Sequence, residues 1–75
     1  MGQIIAPPVP QWWLHGDGHV VAGAIVERHA LSIEAQILLD GVPLYRSRHA
    51  TRAIAEEELA ALRGRWAREG WTDTF

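Results

Sequence analysis

Histidine is the residue type in this sequence best suited to hold a metal ion, because the chain contains four histidines and no cysteine. His15 and His19 flank a Gly-Asp-Gly segment. A three-residue hairpin loop over that segment would set the two imidazoles opposite each other on neighbouring strands. A pair of ligands does not complete a metal site, and His29 and His49 fall in other predicted loops. We therefore predict no metal and no other cofactor.

Nucleophilic catalysis would need Ser32 or Ser47, since cysteine is absent. Neither serine lies in a nucleophile elbow or beside a glycine-rich turn that would form an oxyanion hole. His49 shares a strand face with Ser47, a spacing that is common by chance. The acidic run at residues 56–58 points in several directions around a helix, so its carboxylates cannot converge on one substrate atom. The sequence therefore predicts a protein without catalytic activity.

Four tryptophans are the most unusual feature of the composition. Trp66 lies on the apolar stripe of a predicted helix, and Trp12 lies on the strand face assigned to that helix, so both are predicted to be core residues. Trp13 and Trp71 are less easily buried. Tryptophan is enriched at the centres of protein–protein interfaces. These two residues therefore point to a protein partner.

Single-stranded nucleic acid is the alternative partner. An exposed Trp13 could stack on a base while the guanidinium groups of Arg46 and Arg48 bind phosphate. The same order of elements, four strands and a helix, occurs in several unrelated small domains, including dimeric single-strand DNA binders, which is a similarity of topology alone. The net charge of −2 favours a protein partner over nucleic acid.

The elements that would position these residues are four strands and a helix. Residues 31–39 alternate between apolar and polar side chains, the pattern of a half-buried antiparallel strand. Aromatic and β-branched residues predict further strands at 11–15, from residue 19 to about 27, and from residue 42 to about 48. The sequence therefore predicts an α+β fold, a four-stranded antiparallel meander sheet with one C-terminal helix packed on one face. Residues 1–10 are predicted to form an extended proline-rich arm, 11–71 a single ββββα domain and 72–75 a tail.

The helix is predicted to run from Arg52 to about Glu69 with Thr51 as its N-cap. Its apolar stripe consists of Ala55, Leu59, Leu62 and Trp66. Gly64 interrupts the helix at a cost of about 1 kcal/mol relative to alanine, which suggests close packing at that position. Gly70 is a natural residue for the left-handed helix terminus, and Trp71 after it would fold back on the last turn.

Loop length decides which side chains share a face. Both Asp-Gly pairs fit three-residue loops with glycine in the left-handed conformation, and a two-residue turn is the alternative for the second loop. The three-residue loop places Glu34 opposite Arg46 and Ser32 opposite Arg48, whereas the two-residue loop places Arg46 on the apolar face. We therefore predict the three-residue loop. The helix would then cover Trp12, Leu14, Val20, Ala22, Ala24, Val26, Leu31, Ile33, Ala35, Ile37 and Tyr45.

The second predicted face is too apolar for an ordinary solvated surface. It carries Trp13, Val21, Ile25, Leu38 and Leu44, mixed with Glu34, Gln36, Arg46 and Arg48. A chain of 75 residues buries little surface and gains stability from self-association. We therefore predict a small protein-interaction module that forms a homodimer or binds another protein. Its predicted interface consists of Trp13, Val21, Ile25, Leu38 and Leu44.

Composition also suggests where the protein works. No apolar run approaches the roughly 20 residues that span a bilayer, and the first residues lack the basic and apolar regions of a signal peptide. All seven basic residues are arginine, which with abundant alanine suggests a GC-rich bacterial genome. We expect a cytoplasmic protein with no membrane partner.

Overall fold

The computed structural model describes residues 8–29 and 32–73. The sheet contains β1 (Val9–Gly16), β2 (His19–His29), β3 (Ser32–Leu39) and β4 (Val42–His49), and the helix α1 (Arg52–Arg68) follows. The strands are antiparallel in the order β1-β2-β3-β4, and α1 packs on one side of the sheet. The predicted α+β fold is confirmed. β1 begins at Val9, inside the predicted arm, whereas the rest of the arm at residues 1–7 and the end of the tail at 74–75 lie outside the described residues.

Two-residue turns join β1 to β2 and β3 to β4. Asp17 and Gly18 have φ values of 51° and 78°, and Asp40 and Gly41 have 51° and 86°. Positive φ at both central residues defines the type I′ turn, whose backbone twist matches that of the strands it joins. The prediction of three-residue loops is therefore wrong at both positions.

This change of one residue inverts β2. Gly16 pairs with His19 across the first turn, so Val21 and Ile25 lie on the face that α1 covers. A shift of one position moves every side chain of a strand to the other face. Val21 and Ile25 are buried in the core, and their prediction as exposed interface residues is wrong. The prediction that α1 covers Val20, Ala22, Ala24 and Val26 is wrong for the same reason.

A β-bulge restores the predicted face of β4. Leu38 pairs with Pro43 and Ile37 with Tyr45, which leaves Leu44 as an extra residue. The bulge adds one position to β4, so Arg46 and Arg48 stay on the face away from α1 despite the two-residue turn. Their partners differ from the prediction by one pair. Arg46 lies opposite Gln36 and Arg48 opposite Glu34.

The core lies between α1 and the sheet surface that we call the helix face. Its fully buried members are Leu14, Val21, Ile25, Ala35, Ile37, Ala55 and Leu59, with Leu62 and Trp66 packed against them, so the predicted helix stripe is confirmed. Trp12 lies across Gly23 on the neighbouring strand and donates from Nε1 to the carbonyl of Leu59 at 3.1 Å. This contact joins β1, β2 and α1.

Both predicted ends of α1 are confirmed. Thr51 accepts a hydrogen bond from the backbone N–H of Ile54 at 3.3 Å, as an N-cap does. Gly70 has a φ of 101°, and Trp71 folds back so that its ring meets that of Trp66 edge to face at a centroid distance of 5.1 Å. Gly64 differs from the prediction, because a Cβ placed there would meet no atom within 4 Å.

The two edges of the sheet differ. Thr72 forms an antiparallel bridge with His15, with backbone hydrogen bonds of 2.6 and 3.0 Å, so the chain after α1 covers part of the β1 edge. β4 is the last strand at the other edge, and no described residue pairs with its outer side. α1 is the one helix of the described chain, and it is neither long nor apolar enough to cross a membrane.

Candidate functional site

The far face, the sheet surface opposite α1, carries an apolar band near the two turns. Trp13, Ala22, Leu38 and Pro43 occupy one row across β1, β2, β3 and β4, and the bulge residue Leu44 directly follows Pro43 at the edge of that row. Trp13 is 52% exposed and Leu44 is 56% exposed. Exposed apolar side chains of this size at both ends of one row are a feature found at interfaces.

The rest of the far face is less accessible. Ala24, Val26, Glu34 and Gln36 are buried, and the Gln36 amide donates to Glu34 at 2.6 Å. The apolar band and the arginines of β4 are therefore the parts of this face that a partner can contact. Of the five predicted interface residues, Trp13, Leu38 and Leu44 lie in the band, whereas Val21 and Ile25 lie on the opposite side of the sheet.

The residues predicted for nucleic-acid binding all lie on the far face, but they are not on neighbouring strands. Trp13 is on β1, and Arg46 and Arg48 are on β4, exposed and without an ion pair among the described residues. Three interstrand spacings separate the indole from the nearer arginine position, about 14 Å. One nucleotide does not span that distance, so a strand of nucleic acid would have to cross the sheet.

A polar cluster on the helix face ties β4 to α1. The Glu58 carboxylate accepts hydrogen bonds from the Tyr45 hydroxyl at 3.0 Å, from His49 Nε2 at 2.9 Å and from the Ser47 hydroxyl. Tyr45, Ser47 and His49 share one face because they alternate along β4, and Glu58 projects from the second turn of α1. The cluster therefore fixes the start of α1 over the edge strand.

The hydrogen-bond directions do not match nucleophilic catalysis. In a Ser-His-acid triad the hydroxyl donates to the imidazole, and the acid orients the other ring nitrogen. Here Ser47 donates to Glu58, and the Nε2–H of His49 lies within 3.0 Å of Ser47 Oγ and points to the same carboxylate. Burial raises the pKa of Glu58, but the donors Ser47, His49 and Tyr45 together hold that pKa below its ordinary value. The carboxylate is thus held in its ionised, hydrogen-bond-accepting form.

Asp40 links the two turns at the same end of the sheet. Its carboxylate accepts from the ring of His19 at 2.6 Å and from the backbone N–H of Val20 at 2.9 Å. The Val20 N–H, and after it the His19 side chain, lower the pKa of Asp40. His15 pairs with Val20 and His19 with Gly16, so the two imidazoles lie on opposite faces and the predicted histidine pair is wrong.

A groove lies between β4 and the last turns of α1. Its volume is about 690 Å³, and its apolar lining consists of Ile37, Tyr45, Ala61, Leu62 and Trp66. Arg65 and Arg68 line it from the helix and form no ion pair among the described residues. Neither this groove nor the Glu58 cluster was predicted from the sequence. The alternating Tyr-x-Ser-x-His run of β4 was the available signal, but its partner Glu58 lies on a different element.

Comparison with models of protein families, with curated proteins and with solved structures gave no match, so the comparisons assign the chain to no family. Function therefore has to be argued from the surfaces described above.

Proposed function

We propose that this protein is a self-associating interaction module, and that two copies join through the apolar bands of their far faces. The observation that carries the proposal is the band itself, which crosses all four strands with Trp13 and Leu44 about half exposed at its two ends. Burial of apolar surface is the main driving force for association between proteins. Two sheets packed through such bands lie about 10 Å apart.

A second copy is the partner that the arrangement of sizes and charges favours. A two-fold axis parallel to the strands places β1 of one copy over β4 of the other. Trp13 then lies opposite Leu44 of the second copy, and Ala22 lies opposite Leu38, so large residues meet at the rims and a small one lies at the centre. Arg46 lies opposite Pro10 of the second copy rather than opposite another arginine, so the charges of β4 do not repel each other.

The test is the molar mass in solution, measured by light scattering over a range of concentrations for three proteins. We expect the unmodified chain to be a dimer and Leu44→Glu to be a monomer with an unchanged far-UV circular dichroism spectrum. Ile54→Glu is the matched control, because Ile54 is also about half exposed but lies on α1. We expect that control to remain a dimer.

Two results would contradict the proposal. A chain that stays monomeric up to high concentration has no partner in a second copy. A Leu44→Glu variant that remains a dimer would mean that the copies meet through another surface.

The second candidate is binding of single-stranded nucleic acid through Trp13, Arg46 and Arg48. The observation that favours it is that both arginines are exposed on the same face as the exposed indole and form no ion pair among the described residues. This function predicts quenching of tryptophan fluorescence by an oligonucleotide and an affinity that falls steeply with salt. Titration with a single-stranded oligonucleotide at low salt tests it, and a flat signal would exclude it.

A further inference from the structure

We propose that β4 takes an extended peptide as a fifth strand, and that this peptide alternates acidic and apolar residues. The proposal uses the outer edge of β4, the groove on the helix face and the arginines of β4, and none of these belongs to the apolar band. It rests on three observations, which concern the edge, the groove and the charges beside them.

The edge is available for backbone pairing. β4 is the last strand of the described sheet; Tyr45, Arg46 and Arg48 are exposed, and Ser47 and His49 are partly buried. Pro43 has no N–H, and the bulge at Leu44 interrupts the strand, so the regular edge is the segment at residues 45–49. An added strand of about five residues would satisfy this edge in the way that sheet-augmenting peptides do.

The groove defines what the added strand presents to the helix face. Successive side chains of a strand point to opposite sides, so every second residue of the peptide would enter the groove beside Tyr45. The apolar part of the lining is formed by Leu62 and Trp66 on α1 and by Ile37 at the base, and four charged residues complete the groove, Glu58, Arg65, Arg68 and Glu69. The Tyr45 ring is held by its hydrogen bond to Glu58, so this side of the groove is formed before a peptide binds. Apolar side chains fit these positions.

Charge determines the other half of the pattern. Arg46 and Arg48 project from β4 on the far face, and they would lie beside the remaining side chains of an added strand. Opposite charges on neighbouring strands attract, and like charges in that position are destabilising. Acidic residues are therefore favoured, and a second β4 is disfavoured because its own arginines would approach these two. The groove on the helix face adds no net preference, because Arg65 and Arg68 line it together with Glu58 and Glu69.

The experiment uses three fluorescein-labelled peptides of eight residues, followed by fluorescence anisotropy with the full chain. One peptide alternates glutamate and valine, one alternates lysine and valine, and one joins four glutamates to four valines without alternation. We expect the alternating acidic peptide to bind at least tenfold more tightly than the other two. In the NMR spectrum, its addition should shift the backbone amides of residues 45–49 and the indole of Trp66, but not the amides of β1.

Charge reversal provides the decisive variant. In Arg46→Glu/Arg48→Glu we expect the acidic peptide to lose at least tenfold in affinity and the basic peptide to gain binding, which a merely misfolded variant would not show. The control is Ala53→Glu/Ala60→Glu, which adds acidic residues at exposed positions of α1 and should leave the order of the three peptides unchanged.

Each contrary outcome would overturn the proposal. Equal binding of the alternating and block peptides would mean a purely electrostatic contact. Shifts confined to the far-face band would place the peptide on the self-association surface. Displacement of the peptide by a single-stranded oligonucleotide that binds more tightly would assign the arginines to nucleic acid.

Discussion

The indole ring of Trp12 occupies the space that a side chain at Gly23 would fill. The two residues are directly paired on β1 and β2, and a Cβ at residue 23 would lie 2.7 Å from Trp12 Nε1 and closer still to two ring carbons. The same nitrogen donates to Leu59 on α1. The missing side chain in β2 therefore lets one indole reach from the edge strand to the helix.

Gly23→Ala should be strongly destabilising, because the added methyl group must displace the Trp12 ring and break its hydrogen bond to Leu59. Overpacking of a filled core costs typically about 1–3 kcal/mol, so we expect a loss of that size in the free energy of unfolding. Urea denaturation followed by far-UV circular dichroism measures it. A variant as stable as the original chain would mean that the ring moves aside without cost.

Gly64→Ala is the matched substitution with the opposite expected sign. Gly64 lies inside α1, and an added methyl group there meets no atom within 4 Å. Alanine should then stabilise the helix by about 1 kcal/mol through its higher helix propensity. The same denaturation experiment shows it as a higher midpoint concentration of urea, and a lower midpoint would contradict the open space around Gly64.

Ile25→Ala tests the observed faces of β2. Ile25 is only 2% exposed and packs under α1, so its truncation should cost about 2–5 kcal/mol in the free energy of unfolding. The control is Val20→Ala on the far face, for which we expect a smaller loss because Val20 is partly exposed. Equal losses of unfolding free energy in the two variants would contradict the assignment of Ile25 to the face that α1 covers.

Glu58→Gln should lower the free energy of unfolding at pH 7 by about 1–3 kcal/mol, since it weakens three hydrogen bonds to a charged acceptor. The folded-state pKa of Glu58 lies below its ordinary value of 4.5, so its stabilisation is complete above that pH. It is lost as the pH falls through the folded pKa. Thermal unfolding at a series of pH values should therefore show the full difference between variant and original chain at pH 7 and a smaller difference as the pH falls below 4.5. Glu57→Gln, at an exposed neighbour, should show no such difference.

Asp40→Asn should lower the melting temperature at pH 7, because it removes the charge that binds His19 and the N–H of Val20. Asparagine tolerates the positive φ of this turn position, so the turn itself is kept. The pKa of Asp40 is lowered in the folded state, so the effect should decline as the pH falls below the ordinary value of 3.8 and be lost as the pH falls through the folded pKa. Asp17→Asn is the control, since Asp17 holds the same position in the first turn with the same φ of 51°. An equal effect of the two substitutions on the melting temperature would mean that the hydrogen bonds of Asp40 to His19 and Val20 do not stabilise the fold.

Periodicity and helix signals were sufficient to predict the architecture. The alternation in β3, the Thr51 cap and the stripe that contains Leu59 all describe local or repeating features, and the structure confirms each of them. The register of β2 was predicted wrongly because it depends on the turn type, and both Asp-Gly segments fit more than one type. Gly23 was the available signal for the correct register, since glycine inside a strand often marks the close approach of another group.

The candidate surfaces were only partly predictable for the same reason. Trp13 and Leu38 were assigned to one face correctly, because β1 and β3 kept their predicted parity. The bulge that preserved the parity of β4 has no distinct sequence signal apart from Pro43, which cannot donate within a regular ladder. The groove depends on how α1 lies relative to β4. That placement involves the contact between Trp12 and Leu59, two residues far apart in the sequence, so no single segment predicts it.

The bridge between His15 and Thr72 has a consequence for the order in which the chain folds. Every other pairing in the described sheet joins neighbouring strands of a meander, so these hairpins close over short stretches of chain and form early. The bridge closes a loop that includes three strands and the whole helix, and the entropy lost in closing a loop grows with its length. We therefore expect this bridge to form last during folding and to open first. In amide hydrogen exchange, the N–H groups of His15 and Thr72 should then exchange well before those in the middle of β3.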